Sequence, residues 1–191
     1  MSKIYKLIPI YNLSKDIQLQ VLKIRNSDYI RNWMLSNRII NIEEHFSWIE
    51  SLKNDQSKIY FIIIDKNYIP IGSINLTRID KINKSAELGL YKTTDHNEKG
   101  LMTHCLNNFI NYSFCNLEIE KIYCNVIENN IKCINLLNRS LFIEEGYLRS
   151  HIICNGKRVS LHFFGLLKSD WINNKEKYEY ISNIKIEINN V

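Results

Sequence analysis

Residues 97–103, NEKGLMT, place a glycine where a polar loop gives way to an amphipathic helix. The first N–H groups of a helix have no acceptors within the helix, and the helix dipole favours negative charge at that end. Because Gly100 has no side chain, an anionic group can approach these donors closely. The segment is predicted either to bind an anion, for which pyrophosphate is the natural ligand, or to form an ordinary tight turn into the helix.

A second set of residues, in the front half of the chain, combines aromatic rings with polar and cationic side chains: Arg25, Asn26, Trp33, Met34, His45 and Trp48. Sugar rings pack against aromatic side chains, and an arginine can donate parallel hydrogen bonds to a phosphate or carboxylate. Arg25 follows an amphipathic helix at a bend, where its charge needs a partner. We expect this set to bind a ligand, with core packing as the alternative for each tryptophan.

Periodicity and turn residues predict the elements that position these groups. Alternating or β-rich segments predict strands at 3–10, 58–65, 68–79, 84–92, 121–128, 146–154 and 157–167, the last two joined by an Asn155-Gly156 hairpin turn. Apolar spacing and the caps Ser14 and Asn41 predict helices at 15–25, 42–53, 101–116 and 131–139. We expect an α/β fold in which helices flank both faces of a mixed, largely antiparallel central sheet.

The order of these elements also predicts where a ligand binds. Crossovers through the last two helices would set the strands at 84–92, 120–128 and 142–153 beside one another, with a crevice at the carboxyl ends of the first two. Residues 1–170 are expected to form one domain. Residues 171–191 are polar without a clear apolar face, so we expect a loosely held tail.

The composition narrows the class of ligand. A net charge of +5 over 191 residues is too small and too scattered for nucleic-acid binding, although it suits an anionic small molecule. The five cysteines lack metal-ligand spacing, so we expect reduced core thiols and no metal. The chain shows neither a signal-peptide pattern nor an apolar run of the ~20 residues that span a membrane. We expect a cytoplasmic monomer or homodimer that binds no membrane.

Two segments resemble a known family. The strand, loop and helix at 84–116 and the segment NVIENNIKCINLLNRSLFIEEGYLRSHIICNGKRVSLHFFGLL at 125–167 are similar to the GNAT acyltransferase superfamily, and the resemblance covers residues 20–171. The back half is similar to both ribosomal-protein N-terminal acetyltransferases and bacterial sugar-nucleotide N-acetyltransferases. The front half, IRNSDYIRNWMLSNRIINIEEHFSWIESL, most resembles the N-acetyltransferases of pseudaminic acid biosynthesis.

The resemblance implies an enzyme that uses acetyl-CoA as co-substrate. The implied acceptor is the 4-amino group of a UDP-linked 4-amino-4,6-dideoxy sugar, acetylated by direct transfer in a ternary complex. A peptide or ribosomal-protein N-terminal acetyltransferase is the alternative: a closed aromatic pocket at 25–48 would favour the sugar, and an open groove the chain end. A third interpretation is an acyl-CoA-binding domain without catalysis, because Met102 and Leu137 depart from the family pattern.

The resemblance also implies which residues bind CoA. The phosphate-loop pattern of the family, Gln/Arg-x-x-Gly-x-Gly/Ala, falls on Asn97, Gly100 and Met102, and only the glycine is kept. Lys99 and Arg139 are candidates for the phosphates. Asn130, which is also a plausible helix cap, matches a residue that contacts the pantetheine arm. The full implied set is Leu90, Tyr91, Asn97, Lys99, Gly100, Leu101, Met102, Thr103, Asn130 and Arg139.

The chemistry needs a base, an oxyanion donor and a leaving group. The resemblance places the donor at a backbone N–H near Leu90-Tyr91. For the base we favour Glu87, an acid in an apolar strand, although it could equally be a structural carboxylate bonded to a neighbouring strand or to Arg25. His45 is the rival base, with a buried helix histidine or a substrate hydrogen-bonder as its alternatives.

The leaving-group acid departs from the family. Leu137 occupies a slot where many GNAT enzymes have a tyrosine, and leucine cannot donate a proton. Either Tyr91 or Tyr123 serves, or the thiolate leaves unaided, since a thiol of pKa ~8.5 is a tolerable leaving group. We predict that Leu137 has no catalytic role.

Overall fold

The computed structural model describes residues 3–154, 156–174 and 184–189. Its strands are β1 (Lys3–Pro9), β2 (Ile59–Ile64), β3 (Pro70–Asp80), β4 (Ser85–Lys92), β5 (Lys121–Ile127), β6 (Ile143–Cys154), β7 (Lys157–Leu167) and β8 (Ile184–Ile188). Its helices are α1 (Lys15–Asn26), α2 (Asp28–Arg31), α3 (Ile42–Leu52), α4 (Leu101–Asn116), α5 (Ile131–Arg139) and α6 (Lys168–Asn174). Within these ranges the strands form one sheet in the order β6-β7-β5-β4-β3-β2-β1-β8. The pairs β1–β8 and β4–β5 are parallel and the others antiparallel, which confirms the predicted mixed sheet.

The central strands are apolar on both faces because helices cover both faces. Phe61 of β2 packs in one core, where its ring centroid lies 5.8 Å from that of Phe109 on α4. Ile62, the next residue, points to the opposite face and packs in a second core with Val21 of α1 and Ile49 of α3. The predicted three-layer arrangement is therefore confirmed.

Side-chain caps begin two helices where the sequence predicted them. Ser14 Oγ accepts a hydrogen bond from Ile17 N at 3.4 Å, and Asn41 Oδ1 accepts one from Glu44 N at 2.7 Å. The Glu44 carboxylate forms an ion pair with Arg38, which lies in the loop before α3. Helix α3 is thereby tied to the loop that precedes it.

The expected neighbour of β5 was wrong. We predicted that the strand after α5 lies beside β5, but β7 lies between them and pairs antiparallel with β5. The reason is hydrophobicity: Leu161, Phe164 and Leu166 of β7 are buried, whereas β6 is largely exposed. The more apolar strand of the hairpin takes the inner position, and the more polar strand becomes the edge.

Within the described residues, two elements of the segment predicted to be a loose tail, α6 and β8, pack against the rest of the fold. Trp171 of α6 is buried in the core, and β8 pairs with β1 along Lys3–Leu7 while Ile184 and Ile186 pack against the α4 side. Alternate isoleucines, IKIEI, supply an apolar face that the surrounding polar residues obscure in the sequence. The division of the chain at residue 170 stays a prediction.

The hairpin at the other edge is present. Cys154 pairs with Lys157, and Gly156 has a φ of +75°, the conformation that a two-residue turn requires. Asn155, the other predicted turn residue, lies outside the described residues. In the described ranges, no helix is long and apolar enough to cross a bilayer, and no three His, Cys, Asp or Glu side chains are grouped to hold a metal.

Candidate active site

A fork between β4 and β5 sets the position of the cleft. The two strands pair from Ser85–Lys121 to Glu87–Tyr123 and then separate, although both continue. The diverging ends open a cleft of about 1620 Å³. Its walls come from both strands, from the first turns of α4 and α5, and from residues around α1 to α3. The crevice therefore lies where the order of elements predicted it.

The N-terminus of α4 forms one wall of the cleft. Gly100 has a left-handed backbone with φ +82°, which glycine adopts without strain. Among the described residues, no side chain caps α4, whereas α1, α3 and α5 have side-chain caps. The residues of this turn that line the cleft are Gly100, Leu101, Met102 and Thr103. Gly100 thus makes a tight turn. Leu101 N donates to Glu98 O at 3.4 Å, and the N–H groups that follow it in the first turn are left for a ligand.

Cationic side chains accompany this turn along the cleft wall. Lys99 and Arg139, the predicted phosphate contacts, both line it, and so does Lys132, which the sequence did not single out. Lys92 also lines the cleft, but its Nζ donates to the carbonyls of Thr93, at 3.0 Å, and His96. Burial lowers the pKa of Lys92. This part of the cleft suits a ligand with several phosphates.

Two predicted contact residues do not line the cleft. Asn97 is exposed on the loop before α4. Asn26 Nδ2 donates to Ile40 O at 2.8 Å, and its Oδ1 accepts from Ile40 N at 3.0 Å. Asn26 therefore fastens the loop before α3 to α1, a structural role in place of the predicted ligand contact.

Glu87 lies at the fork, and its side chain is only 12% exposed. Its Oε2 is 3.1 Å from Arg78 Nη1, and its Oε1 accepts a hydrogen bond from Asn125 Nδ2 at 3.1 Å. This confirms the alternative of a carboxylate bonded to a neighbouring strand, because Arg78 lies on β3 and Asn125 lies on β5, to either side of β4. Arg25, which we considered as a partner, is not one of them.

His45 is buried on α3, and its Nε2 is 2.9 Å from the carbonyl oxygen of Gln18. A carbonyl only accepts, so Nε2 carries the proton and Nδ1 alone is left to accept one. Burial lowers the pKa of His45, which keeps the ring neutral at pH 7. This geometry favours the alternative of a buried helix histidine over a base.

Tyr91 lines the cleft at the end of β4. Burial raises the pKa of its phenol, and the nearby charge of Arg25 opposes that rise. The hydroxyl therefore keeps its proton at neutral pH and can only donate or accept a hydrogen bond as a neutral group. Leu90, the neighbouring residue, also lines the cleft.

Arg25 projects from α1 into the cleft. Its Nη2 donates to Ser36 O at 2.9 Å. Its Nη1 is buried and, within the part of the chain that the structure describes, has no hydrogen-bond partner. Burial lowers the pKa of the guanidinium, but an arginine remains charged at neutral pH. An unpaired, buried donor on a cationic residue that lines the cleft favours the binding of an anionic group there.

The predicted aromatic set lies around Arg25. Trp33, Met34 and Trp48 all line the cleft. Trp48 packs edge-on against Tyr60 of β2, with ring centroids 4.8 Å apart and an interplanar angle of 88°. Trp48 therefore packs against the core with part of its ring and lines the cleft with another part.

Comparison with known proteins decides the family. Residues 12–142 match the family model described as "Acetyltransferase (GNAT) domain". The chain belongs to the GNAT acetyltransferase family. GNAT enzymes use acetyl-CoA, so the protein is an acyltransferase that moves an acetyl group from acetyl-CoA to an amine. This assignment replaces the interpretation of the chain as an acyl-CoA-binding domain without catalysis.

Individual GNAT relatives differ in substrate. The spermidine N(1)-acetyltransferase of Vibrio cholerae is 31% identical over 70% of this chain and 79% of its own length. The acetyltransferase PseH of Campylobacter jejuni is 33% identical over 68% of this chain and 78% of its own length. A crystal structure of a V. cholerae spermidine N-acetyltransferase with CoA and spermine has a TM-score of 0.81 at 24% identity, covering 88% of this chain and 98% of that one. At that identity the last likeness shows the GNAT fold alone.

The remaining predicted residues fit a GNAT cleft in different ways. Asn130 caps α5 by accepting from Cys133 N at 3.2 Å, and it also lines the cleft. Leu137 is fully buried in the core and forms part of the cleft wall. The resemblance to the family placed it where many GNAT enzymes have a tyrosine. A leucine side chain cannot itself donate a proton to a leaving group.

Sequence reasoning missed several polar residues on the floor of the GNAT cleft. Ser73, Asn75 and Thr77 alternate along β3 and face the same side of the sheet as Glu87, and Asn125 follows on β5. The signal was present as polar residues at every second position of SINLT, which a half-buried strand with a polar inner face would show.

Proposed function

We propose that the acceptor is a nucleotide-linked amino sugar: the 4-amino group of a UDP-linked 4-amino-4,6-dideoxy sugar, as in a pseudaminic-acid-type nonulosonate pathway. The unpaired Nη1 of Arg25 carries this proposal. Leaving a charged donor buried without a partner costs about 1–3 kcal/mol or more, a cost that a phosphate of the acceptor would remove. The relationship to acetyltransferase PseH is in line with this class of acceptor.

The charges of the cleft argue against a polycation. Of the described residues, the carboxylates that line the cleft are Glu44, Glu87 and Glu98. Each already forms an ion pair, with Arg38, Arg78 and Lys3 respectively. A polyamine would need carboxylates without partners, and it would meet the charge of Arg25 instead. A diphosphate has the opposite preference.

The loop over the acceptor side is held in place, which favours a walled pocket. Arg25 donates to Ser36 O at 2.9 Å, and Arg31 donates to Asn37 O at 3.1 Å. Asn26 binds both polar backbone groups of Ile40. A fixed loop with Trp33 and Met34 beside it supports a pocket for a compact ring more than an open groove for a peptide end.

The proposed chemistry uses Glu87 as the base. The attacking amine must lose a proton, and Glu87 lies at the fork with both carboxylate oxygens oriented by neighbours. A backbone N–H near Leu90-Tyr91 would stabilise the charge that develops on the carbonyl oxygen. The thiolate leaves unaided in this scheme, because Leu137 cannot donate a proton and a thiol is a tolerable leaving group; protonated Tyr91, which lines the cleft, is the alternative donor. Lys99, Lys132, Arg139 and the first turn of α4 would hold the phosphates of CoA.

A polyamine is the competing acceptor, because relatives that are spermidine acetyltransferases are as similar in sequence as PseH. A peptide N-terminus remains the alternative that the back half of the sequence favours. Neither has a phosphate, so neither offers Arg25 the strongly anionic partner that a sugar nucleotide offers. The choice among the three acceptors therefore depends on whether the acceptor is anionic.

The test is thiol release from acetyl-CoA with a panel of amines. The panel contains UDP-4-amino-4,6-dideoxy-N-acetyl-altrosamine, spermidine, and short peptides with free N-termini, and an enzyme-only blank corrects for the exposed thiol of Cys115. We expect release with the sugar nucleotide and mass addition of one acetyl group to it. Turnover of spermidine or of a peptide, with none on any 4-amino sugar nucleotide, would overturn the proposal.

We also propose a cytoplasmic enzyme that acts as a monomer or homodimer. All five cysteines are free thiols, which is typical of a reducing compartment. Fractionation of the native host and sedimentation of the purified protein would test these two statements.

A further inference from the structure

Asn125 occupies a special place at the fork. Its side-chain Nδ2 donates to Glu87 Oε1 at 3.1 Å across the gap between β5 and β4. Its Oδ1 is buried, and no group in the described ranges donates to it. Because an ionised carboxylate only accepts, the amide must present Nδ2 to Glu87, and this fixes Oδ1 on the other side. Asn125 also lines the cleft.

An unpaired buried carbonyl oxygen implies a missing donor. Leaving such an acceptor buried costs on the order of 1–3 kcal/mol, so a ligand N–H that reaches Oδ1 binds with a corresponding gain. In an enzyme that acetylates an amine, the donor that must come to this fork is the amine itself. Oδ1 is thus a second acceptor on the residue that binds Glu87, and it matches one N–H of an amine whose other N–H is taken by the carboxylate.

We propose that Asn125 positions the acceptor amine. Its Oδ1 accepts one amine N–H, and its Nδ2 keeps Glu87 in place to receive the other proton. As the C–N bond forms and the C–S bond breaks, the amine proton passes to Glu87 and the electron pair leaves on the thiolate. Asn125 neither gains nor loses a proton. This inference rests on the role of Glu87 in the proposed function, but not on the identity of the acceptor.

A second consequence concerns which amines react. A primary amine has two N–H bonds in its neutral form, so it can serve Asn125 and Glu87 together and still direct its lone pair at the carbonyl carbon. A secondary amine has only one and must leave one of the two acceptors unpaired. The geometry therefore selects a neutral primary amine over a secondary one.

The test begins with Asn125→Ala. We expect kcat to fall on the order of 10–100-fold, as for other losses of a positioning hydrogen bond to the reacting group, while the KM for acetyl-CoA stays within about twofold. Thermal unfolding should change little, because the variant removes an unpaired buried oxygen and also loses the hydrogen bond to Glu87, two effects of opposite sign. The control is Asn67→Asp, on an exposed turn outside the cleft, which should match the wild type.

Asn125→Asp separates positioning from mere support of the fold. It places two carboxyl groups in contact, which share a proton at low pH and repel when both ionise. The protonated aspartic acid mimics the amide, with O–H towards Glu87 and the carbonyl oxygen free. We expect Asn125→Asp to exceed Asn125→Ala in kcat at the acid end of the range and to lose that advantage as pH rises.

The outcomes are separable from those of the acceptor proposal. The wild type is first assayed on the sugar nucleotide, spermidine and peptide panel, and the variants are then assayed with whichever amine it acetylates. If that amine is not the sugar, the acceptor proposal fails and the Asn125 test is unaffected. A kcat for Asn125→Ala within twofold of wild type, or parallel pH profiles for the two Asn125 variants, would overturn the inference.

Discussion

Replacing Arg25 with methionine should weaken the binding of the acceptor and leave the KM for acetyl-CoA unchanged. Methionine keeps much of the length and apolar stem of arginine but removes the guanidinium, whose Nη1 is buried in the cleft without a partner. A hydrogen bond from a charged donor contributes about 1.5–3 kcal/mol. At about 1.4 kcal/mol for each factor of ten, the KM for the sugar nucleotide should rise roughly 10- to 150-fold. Because Arg25 is half-buried, solvent screening favours the lower part of that range.

The stability of the Arg25→Met variant should change in a different way from its activity. The variant loses the hydrogen bond to Ser36 O, worth about 1 kcal/mol, and also removes the unpaired, desolvated donor, an effect of similar size and opposite sign. The free energy of unfolding should therefore stay within about 1 kcal/mol of wild type. Steady-state thiol release gives the KM of each substrate, and urea unfolding gives the stability.

The matched control is Arg31→Met. Arg31 also donates to a carbonyl of the same loop, Asn37 O at 3.1 Å, but it does not line the cleft. If the loop tie alone matters, the two variants will behave alike. An unchanged KM for the sugar nucleotide in Arg25→Met, or a KM for spermidine that improves while spermidine is the better substrate, would refute an anionic acceptor at Arg25.

Three further changes test other parts of the cleft. Gly100→Ala should raise the KM for acetyl-CoA several-fold, because the methyl group is added to the turn that lines the cleft. It should also cost about 1 kcal/mol of stability, because φ is +82°. The added methyl group lies 3.7 Å from His104, an ordinary contact distance, so no clash adds to this cost. Leu137→Ala should cost about 2–5 kcal/mol of stability, as a fully buried leucine, yet keep the kcat of the folded fraction. His45→Gln should flatten the loss of stability between pH 7.5 and 5: burial lowers the pKa of folded His45 below 6.5, so the unfolded chain binds its proton first and acid favours unfolding.

Each of these has its own control or contrary result. Gly156→Ala has the same kind of backbone, φ +75°, with open space around it and no place in the cleft, so it should lose stability alone. Leu106→Ala removes an equally buried leucine outside the cleft and should resemble Leu137→Ala in both readouts. For His45, equal acid sensitivity of wild type and variant in urea titrations would show that another group is responsible.

Local signals in the sequence predicted most of the elements and the position of the cleft. Ser14 and Asn41 cap their helices through contacts to N–H groups only a few residues away. The parallel crossover through α4 follows from a strand, a glycine and an amphipathic helix in succession, and it puts the fork beside Gly100. These features depend on residues that are close in sequence, so they could be predicted from the sequence without knowledge of the fold.

The partners of the site residues could not be predicted, since they come from other strands. Arg78 reaches Glu87 from an irregular point of β3, where the register with β4 shifts and φ is +50°, a conformation that is uncommon for a residue other than glycine. Asn125 reaches the same carboxylate from β5. Likewise, the inner position of β7 reflects competition with β6 for burial, a comparison that no single segment encodes.

The pairing of β8 with β1 has a consequence for synthesis in the cell. Lys3 pairs with Ile184, so β1 gains its outer neighbour only after about 180 further residues have been translated. Until then a nascent chain presents an open strand edge, which is a template for pairing with other chains. Contacts between such distant positions also slow folding. Chaperone dependence of newly made protein should therefore concentrate in the interval between the synthesis of β1 and the synthesis of β8.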